Sequence, residues 1–417
     1  MTSPADRRLR WLLPTILAGL SMLGPFSIDT PFPAFRAMSD DFGVTSDEMQ
    51  LVVSTYLVSF GLMSPFHGPL SDALGRKPVI LGGVTAYVVA SVGCALSPDL
   101  GTLLVFRVLQ GLSAGGGVIV SRTLIRDVYE GAEAQRLMSR VMMIFALAPA
   151  IAPVIGGVLL QVGPWPVTFW FMALAALLLV AVVVVWLPET HPAERRIPLR
   201  VGALVGGLAA VARNGRFHRV AWSAALTFGG QFIYISSASI IVVDLLGLGE
   251  LDFWVLFAPL VGAVMLGSQL SSWAAGRIPG NRLVTGSLLF CVTAAAANVA
   301  VATTVGPVLP WVVLGPALLA LGTVAAYPTM QLILLDLFPS GRGSAVSLFT
   351  FFTLLLNGTV AGAVAPFVTD SVGTVALASA AMVAAGLLLW LWHLGSPAPP
   401  THDPTGSGRD SVGGTRT

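Results

Sequence analysis

Two ionisable side chains lie inside long apolar runs of this sequence. Asp29 lies near the end of the first run, within Pro25–Pro31, and Arg107 lies in the fourth run, within Phe106–Gly111. A charged side chain in the lipid core costs about 2.5–3.5 kcal/mol on insertion scales, so each is expected to face the protein interior. An acid and a base held close together there would respond to protons.

The depth of these two side chains suggests that they meet. Each lies about six residues from the same end of its run, which at 1.5 Å per residue puts both about 9 Å deep. A contact between them, direct or through water, is therefore possible. Gln110 follows Arg107 at a helical spacing of three and shares its face with small residues that allow close packing. We interpret Asp29, Arg107 and Gln110 as a proton-sensitive substrate site. The alternatives are a structural ion pair and, for Asp29, an acid that reaches water at the membrane surface.

A short polar segment, Gly68–Pro78, joins the second and third apolar runs. So tight a loop makes its flanking helices antiparallel neighbours. Pro78 suits the first turn of the next helix, and Asp72 can cap a helix end. The segment is either an ordinary membrane turn or a conformational latch. Asp127, at the same end of the fourth run, gives Arg76 or Arg126 an acid to pair with and favours the latch. The residues assigned to it are Gly68, Asp72, Gly75, Arg76, Lys77 and Asp127.

The composition shows which elements must position these residues. Of 417 residues, 55% are hydrophobic and only 10% are charged, against about 25% charged in soluble proteins. Runs of about 20 apolar residues recur throughout, each long enough to span a bilayer. We therefore predict an all-α membrane protein with twelve transmembrane helices in two six-helix halves. The predicted spans are 11–35, 46–66, 78–97, 101–124, 139–162, 166–187, 218–245, 252–276, 282–304, 307–335, 343–368 and 372–394.

The central link divides the chain. We predict an N-terminal bundle at 1–187, a polar cytoplasmic linker at 188–217, a C-terminal bundle at 218–395 and a disordered cytoplasmic tail at 396–417. Two such halves commonly hold a transporter's substrate between them at mid-membrane. The segment Gly262–Asn281, at the corresponding place in the second half, resembles Gly68–Pro78 but lacks an acid. It is consistent with two repeated halves but does not establish them. The linker arginines are Arg195, Arg196, Arg200, Arg213 and Arg216.

The distribution of charge gives the orientation. Of the 22 arginines and lysines, only Arg36 falls in an outer loop and Arg107 within a span, whereas the outer loops carry acids such as Glu250. This positive-inside pattern predicts a multi-pass protein of the cytoplasmic membrane with both termini in the cytoplasm. The N-terminal run is interpreted as the first transmembrane helix, because it is too long for a signal peptide and has no small-residue cleavage site.

Two further groups of residues are candidates for movement and binding. The fifth span carries Pro149, Pro153, Gly156 and Gly157, which would bend the helix, let a neighbour approach closely, or form a hinge or seal between halves. Apolar walls with a few polar anchors are typical of a drug-sized site. The candidate anchors lining the cavity are Tyr56, Gln231, Tyr234, Tyr327, Gln331 and Asn357.

Other kinds of chemistry have no signature. There is no G-x-x-x-x-G-K-[ST] loop for ATP, the five histidines lack metal-ligand spacing, and the two cysteines lie in apolar runs. No nucleophile, base and orienting acid form a group. The net charge of +2 gives no reason to expect nucleic acid. An enzyme and a metal site are therefore not expected.

Several motifs together resemble a known family. The Gly68–Pro78 segment is similar to the loop between helices two and three of the major facilitator superfamily, and Arg107 with Gln110 and Gly111 resembles its helix-four signature. The fifth span resembles the antiporter motif of its drug exporters, although the usual Gly-Pro pair reads Ala148-Pro149. Further matches look like the Bcr/CflA drug-efflux branch: Ser27-Ile28-Asp29, Ser121-Arg122 with Arg126-Asp127-Val128-Tyr129, Leu187-Pro188-Glu189-Thr190, and Arg342-Gly343-Ser344-Ala345.

The resemblance implies exchange of drugs for protons by a monomer that needs no cofactor beyond the proton gradient. It implies a charge cluster of Asp72, Arg76 and Asp127, with Asp72 also capping helix eleven, which would hold the outward-open state and release on a proton-driven change. It also implies a proton-coupled substrate site at Asp29 and Arg107. The expected substrate is a chloramphenicol-like or other amphipathic molecule. Two alternatives are an uptake permease for a nutrient or siderophore, against which the antiporter-like span argues, and a non-transporting sensor or assembly factor, which the lack of a soluble domain disfavours.

Overall fold

A computed structural model describes residues 4–129, 131–338 and 342–396. Within these ranges the regular structure is helical and contains no strand. The predicted tail lies, apart from Ser396, outside the described residues. The helices are α1 Pro4–Asp29, α2 Phe35–Phe42, α3 Ser46–Leu74, α4 Arg76–Ala95, α5 Leu100–Val128, α6 Gly131–Leu160, α7 Pro166–Trp186, α8 Val201–Ala212, α9 Gly215–Ser236, α10 Trp254–Ala274, α11 Gly280–Thr304, α12 Trp311–Asp336, α13 Arg342–Thr359 and α14 Val372–Leu394. Two π-helical segments, Ile240–Leu245 and Val360–Val364, follow α9 and α13.

The long helices coincide with the predicted spans, which confirms the all-α membrane fold. In the described part of the chain, nine helices are long and apolar enough to cross a membrane: α3, α4, α5, α7, α10, α11, α12, α13 with its extension to Phe367, and α14. The other three predicted spans coincide with α1, α6 and α9, and α6 contributes the apolar segment Leu147–Leu160.

Polar residues between the apolar runs determine where helices begin. Thr45 precedes α3, and its hydroxyl accepts a hydrogen bond from the N–H of Glu48 while the Glu48 carboxylate accepts one from the N–H of Thr45. Asp99 precedes α5 and accepts from the N–H of Thr102 at 2.8 Å. Each pair satisfies backbone donors that a helix leaves free in its first turn.

The first span ends earlier than predicted. Helix α1 stops at Asp29, because Pro31 and Pro33 cannot continue its hydrogen bonding. A 3₁₀ turn and α2 then fold back over the helix end, with Phe32 fully buried and Phe35 nearly so. Asp29 is therefore the last residue of its helix, not a residue about six positions inside it.

The predicted loop at Gly68–Pro78 is also different. Helix α3 runs through Pro69 to Leu74 and α4 begins at Arg76, so Gly75 alone separates them. Its φ of +103° lies in a region that glycine adopts readily, which allows a one-residue reversal. Pro78 lies in the first turn of α4, as predicted. We call the side of the molecule that carries this turn the Gly75 face, and the opposite side, which carries Glu250 between α9 and α10, the Glu250 face.

The central link is not polar throughout, contrary to its description above. Residues 201–212 form α8, which contains only alanine, glycine, leucine and valine. One side of α8 packs beside the start of α13, where Gly207 lies close to Ser344, and Val211 is buried.

The helices form two groups that meet chiefly at two places. Helices α1 and α3–α7 pack mainly among themselves, as do α9–α14, while α3 contacts α13 and α6 contacts α10. In the described residues, two hydrogen bonds join the groups. The Ser54 hydroxyl donates to the Gly358 carbonyl at 2.7 Å, and the Thr369 hydroxyl donates to Asp47 Oδ1 at 3.4 Å. Both lie toward the Glu250 face, so the halves are held together there.

Candidate functional site

An arginine at the Gly75 face lies between two carboxylates. Arg76, the first residue of α4, donates from Nε to Asp127 Oδ2 at 2.9 Å and from Nη1 to Asp72 Oδ1 and to the Ser71 hydroxyl. The Arg76 side chain is only 6% exposed, whereas those of Asp72 and Asp127 are 43% and 22% exposed. The structure therefore brings together the three residues of the expected charge cluster, from α3, α4 and α5. The side chain of Arg126, the other candidate partner, lies outside the described part.

A fourth group belongs to this cluster and was not singled out as a site residue. The Glu189 carboxylate accepts hydrogen bonds from the backbone N–H groups of Arg76 at 3.0 Å and Lys77 at 3.2 Å. Gly75 has no side chain to cap α4, so an acid 113 positions away does so. A Cβ on Gly75 would lie 2.6 Å from Glu189 Oε2, which shows how closely the carboxylate fits. A negative charge is favourable at a helix N-terminus.

The link is fastened to the same cluster. The Thr190 hydroxyl lies 3.4 Å from Asp127 Oδ2, and the N–H of Ile197 donates to the carbonyl of Asp72 at 3.1 Å. The Lys77 ammonium donates to the Val184 carbonyl near the end of α7 at 2.9 Å. The expected capping of helix eleven by Asp72 involves residues 339–341 just before α13, which lie outside the described residues, so this capping stays a prediction. Gly68 has open space beside its Cα.

The second predicted site is a buried polar network around Arg107. This side chain is fully buried. It donates from Nε to the Val52 carbonyl at 2.8 Å, and from Nη1 to the Ser27 carbonyl at 2.9 Å and to Gln110 Oε1 at 2.8 Å. Its Cζ lies 4.6 Å from the ring centroid of Tyr56, within range of a cation–π contact. One guanidinium therefore ties α1 and α3 to α5.

Gln110 extends the network to α4. Its Nε2 donates to the Ser91 hydroxyl at 2.7 Å, and Ser91 donates to the carbonyl of Tyr87 at 2.8 Å. The hydroxyls of Tyr87 and Ser27 are hydrogen bonded at 2.5 Å. The chain of contacts thus returns to α1 two residues before Asp29. Ser27 entered the sequence analysis only as part of a motif, and Ser91 and Tyr87 had no signal beyond being polar in an apolar run.

Asp29 does not form the direct contact with Arg107 that its depth allowed. It is only 2% exposed, yet no ion pair to it occurs in the described ranges and its Oδ1 has no hydrogen-bond partner. The reason is the direction of the guanidinium, whose bonded nitrogens are directed at main-chain carbonyls and Gln110. Thr30 Oγ1, both amide atoms of Gln50 and Arg107 Nη2 are likewise buried and unpartnered. Such atoms are uncommon in folded proteins and each requires an explanation.

The halves close over this region at the Glu250 face. The rings of Phe32 and Phe257, from opposite halves, have centroids 6.4 Å apart and an interplanar angle of 28°, and both are fully buried. In α6, a Cβ on Gly157 would lie 2.3 Å from the Glu250 carbonyl oxygen of the other half, and one on Gly156 would lie 2.2 Å from the Thr30 carbonyl oxygen of its own half. Pro149 and Pro153 lie inside the same helix. The predicted hinge segment thus forms part of the closed side.

The candidate anchors of the second half have different surroundings. Gln231 and Asn357 are buried, and the side-chain oxygen of each has no hydrogen-bond partner. The Tyr327 hydroxyl lies 3.3 Å from that of Thr353, and Gln331 is half-buried. Tyr234 instead accepts a hydrogen bond from Asn298 at 2.7 Å and lines a cavity of about 10 Å³ within its own half.

A larger cavity of about 310 Å³ lies in the first half, between α1, α4 and α7. Its walls are apolar and include Phe26, Phe171 and Leu179, and Leu178 on its rim is 58% exposed. No predicted cavity residue lines it. Tyr87, whose hydroxyl is hydrogen bonded to Ser27 of the Arg107 network, also lines it, so the cavity adjoins that network from the side of α4.

Comparison with known proteins identifies the family to which the chain is similar. Residues 17–352 match the family model described as Major Facilitator Superfamily. An uncharacterised MFS-type transporter, YdgK, of Bacillus subtilis is 33% identical over 261 residues, 62% of this chain and 65% of that protein. A chloramphenicol resistance protein of Pseudomonas aeruginosa is 29% identical over 287 residues, 67% of each chain. Multidrug resistance protein D of Escherichia coli is 26% identical over 392 residues, 93% of this chain and 96% of that protein.

The fold is also that of solved transporters. A bacterial homologue of the human lysosomal transporter Spinster superposes with a TM-score of 0.72 at 14% identity, over 94% of this chain and 97% of that one. At this identity the likeness concerns the fold alone. Since the family model extends over most of the sequence and the helices have the same arrangement, the chain belongs to the Major Facilitator Superfamily.

Proposed function

We propose that this protein is a proton-driven exporter of amphipathic drug-like molecules in the cytoplasmic membrane. The observation that carries the proposal is the pair of buried charges, Asp29 and Arg107, in the first half beneath the closed Glu250 face. The names of two relatives, a chloramphenicol resistance protein and a multidrug resistance protein, support a drug as the substrate. A chloramphenicol-like molecule is the first candidate.

The orientation follows from the basic residues. The Gly75 face carries Arg76 and Lys77 and is cytoplasmic by the positive-inside rule, as are both termini. The Glu250 face is then external. The contacts Ser54–Gly358 and Phe32–Phe257 seal the external side. Because the external side of the protein is closed in this state, substrate can reach the site only from the cytoplasmic side.

The transport cycle needs one group that alternates between charged and neutral. Asp29 serves this role, because a buried carboxylate without a cation beside it changes its interactions strongly when it takes up a proton. Substrate binds while Asp29 is ionised. After the external side opens, a proton from outside neutralises the carboxylate and favours release of the substrate. Each charge that crosses 100 mV contributes about 2.3 kcal/mol.

Arg107 holds the site in shape. Its hydrogen bonds to the main chain of α1 and α3 hold the guanidinium in a fixed position throughout the cycle. The cluster of Asp72, Arg76 and Asp127 acts at the other side. Contrary to the expectation that this cluster holds the outward-open state, Arg76 already contacts Asp72 and Asp127 while the Glu250 face is closed. When the cytoplasmic side closes, Asp72 caps the start of α13. The protein works as a monomer and needs no cofactor.

Everted membrane vesicles test the proposal. Wild-type protein should accumulate a fluorescent amphipathic cation or chloramphenicol when the vesicle interior is acidified, and a protonophore should abolish the uptake. Asp29→Asn should lose proton-coupled accumulation, whereas Asp40→Asn, an exposed acid of α2, should keep it. An Asp29→Asn variant with full proton-coupled accumulation would exclude the assigned role. Net flux in the opposite direction would indicate an uptake permease instead.

A further inference from the structure

Helix α8 has a composition that does not suit water. Its twelve residues, Val201–Ala212, are all apolar or glycine. Val201 and Val205 are 54% and 51% exposed, and Leu199, just before the helix, is 41% exposed. A helix with so apolar an exposed side is stable only where that side leaves water.

Helix α8 lies at the Gly75 face of the molecule, near the start of α13. It follows the end of α7 and precedes the start of α9, two membrane-spanning segments whose ends lie at the Gly75 face. One side of α8 is covered by the protein, since Val211 is buried and Gly207 lies close to Ser344 of α13. The side that carries Val201 and Val205 is exposed in the described part of the chain.

Arginines lie at both ends of this apolar helix. Arg200 precedes its first residue and Arg213 follows its last, and Arg196 lies one turn further upstream. All three are exposed, and none forms an ion pair within the described residues. The link 188–217 holds five arginines against two glutamates, and Glu189 is already engaged with α4. The guanidinium groups of Arg200 and Arg213 are therefore available to an external anion, whereas Arg196 Nη2 lies beside Gly75 and Glu189.

We propose that α8 lies in the boundary between headgroups and acyl chains on the Gly75 face, where its arginines bind anionic phospholipid. An apolar helix with basic residues beside it buries about 5–10 Å into this boundary and is held by both apolar contact and attraction to anionic lipid. The helix is about 18 Å long, so Arg200 and Arg213 contact headgroups of different lipid molecules. Phosphate is the preferred partner of arginine because the two match in a bidentate geometry.

This lipid site is attached to both halves. The N–H of Ile197 donates to the Asp72 carbonyl in the first half, and Gly207 lies beside Ser344 in the second. A phospholipid bound to α8 therefore rests on a segment that touches both the Arg76 cluster and the start of α13. Anionic lipid is expected to stabilise the arrangement of the halves described above.

Depth measurement tests the seating of α8. A nitroxide on Val205→Cys of the full-length protein in phosphatidylglycerol nanodiscs should collide more with oxygen than with a water-soluble nickel chelate. The native Cys94 and Cys291 are fully buried and do not compete for the label. The matched control is Ala193→Cys, an exposed position of the same link, where the chelate should dominate. Equal access of the chelate at both positions would overturn the proposal.

Lipid retention tests the charges. Native mass spectrometry of detergent-solubilised protein should show phosphatidylglycerol retained in preference to phosphatidylcholine. Removing an arginine near a membrane surface weakens anionic lipid binding about fivefold, so Arg200→Gln/Arg213→Gln should retain roughly 25-fold less phosphatidylglycerol. Arg282→Gln, an exposed arginine at the start of α11, is the control and should lose no more than the fivefold of a single arginine. Equal retention of the two lipids, an unchanged double variant, or full competition by glycerol phosphate would each refute a phospholipid site.

Discussion

Replacing Gly157 by alanine should change which side of the protein is open. In the structure described here, a Cβ at this position would lie 2.3 Å from the Glu250 carbonyl oxygen. Real Cβ atoms essentially never approach a neighbour closer than 3.0 Å. The backbone of one half must therefore move by at least 0.7 Å, the difference between these two distances. Because Glu250 belongs to the other half, the strain exists only while the halves meet at the Glu250 face.

The size of the effect follows from the cost of overpacking. An added methyl group in a close contact costs about 1–3 kcal/mol. If the cost falls on one of two states, their ratio changes by about 5–150-fold. Gly156→Ala is the matched control. Its Cβ would meet the Thr30 carbonyl oxygen at 2.2 Å, a similar clash within one half. That variant should lower thermal stability and leave the ratio of the two states unchanged.

Distances between the halves report the ratio directly. Nitroxides on Asp40→Cys and Asp370→Cys, exposed positions of opposite halves at the Glu250 face, can be measured by double electron–electron resonance. The short distance should dominate in the parent and in Gly156→Ala, and Gly157→Ala should move most of the population to longer distances. If Gly157→Ala keeps the parental distribution, or if Gly156→Ala shifts it equally, the closed side does not depend on this contact.

Two more outcomes follow from the clusters. Glu189→Gln removes the negative charge from the N-terminus of α4 and should destabilise the protein in detergent by about 0.3–1 kcal/mol, the usual strength of a charge at a helix end. Glu194→Gln, an exposed neighbour, is the control. Equal melting temperatures of Glu189→Gln and wild type would show that this charge does not stabilise α4. Arg107→Lys keeps the charge but cannot reproduce the planar set of bonds to Val52, Ser27 and Gln110. It should lower the efflux rate at least tenfold at normal expression, and wild-type efflux by the lysine variant would contradict the positioning role given to the guanidinium.

The sequence predicts the helices better than it predicts their contacts. Apolar runs long enough for a bilayer determine the spans, and polar caps such as Thr45 and Asp99 mark the starts of two of them. The ends were harder, because Pro69 lies inside a helix whereas Pro31 and Pro33 end one. A proline's effect depends on whether neighbouring packing compensates for its missing hydrogen bond, and this is a tertiary property.

The contacts of the candidate site were also harder to predict than the positions of its residues in the spans. Counting residues from the ends of the apolar runs put Asp29 and Arg107 at equal depth, but α1 ends at Asp29, and such a count does not give the rotation of each helix about its axis. The acceptors of the guanidinium include two main-chain carbonyls, which cannot be found by matching charged side chains in the sequence. Glu189 was missed for a related reason, since its partners are two backbone N–H groups 112 and 113 positions away. The cluster of Asp72, Arg76 and Asp127 was predictable because it is made of charged side chains within known motifs.

The bonds from Arg107 to the Val52 and Ser27 carbonyls affect how substitutions in this region will be read. Both acceptors are main-chain atoms, which any amino acid at those positions supplies. A systematic alanine scan will therefore report Arg107 as essential and Val52 as tolerant, although the two are in direct contact. The network can also persist while the residues on α3 diverge between relatives, so its partners will be invisible to methods that infer contacts from correlated substitutions.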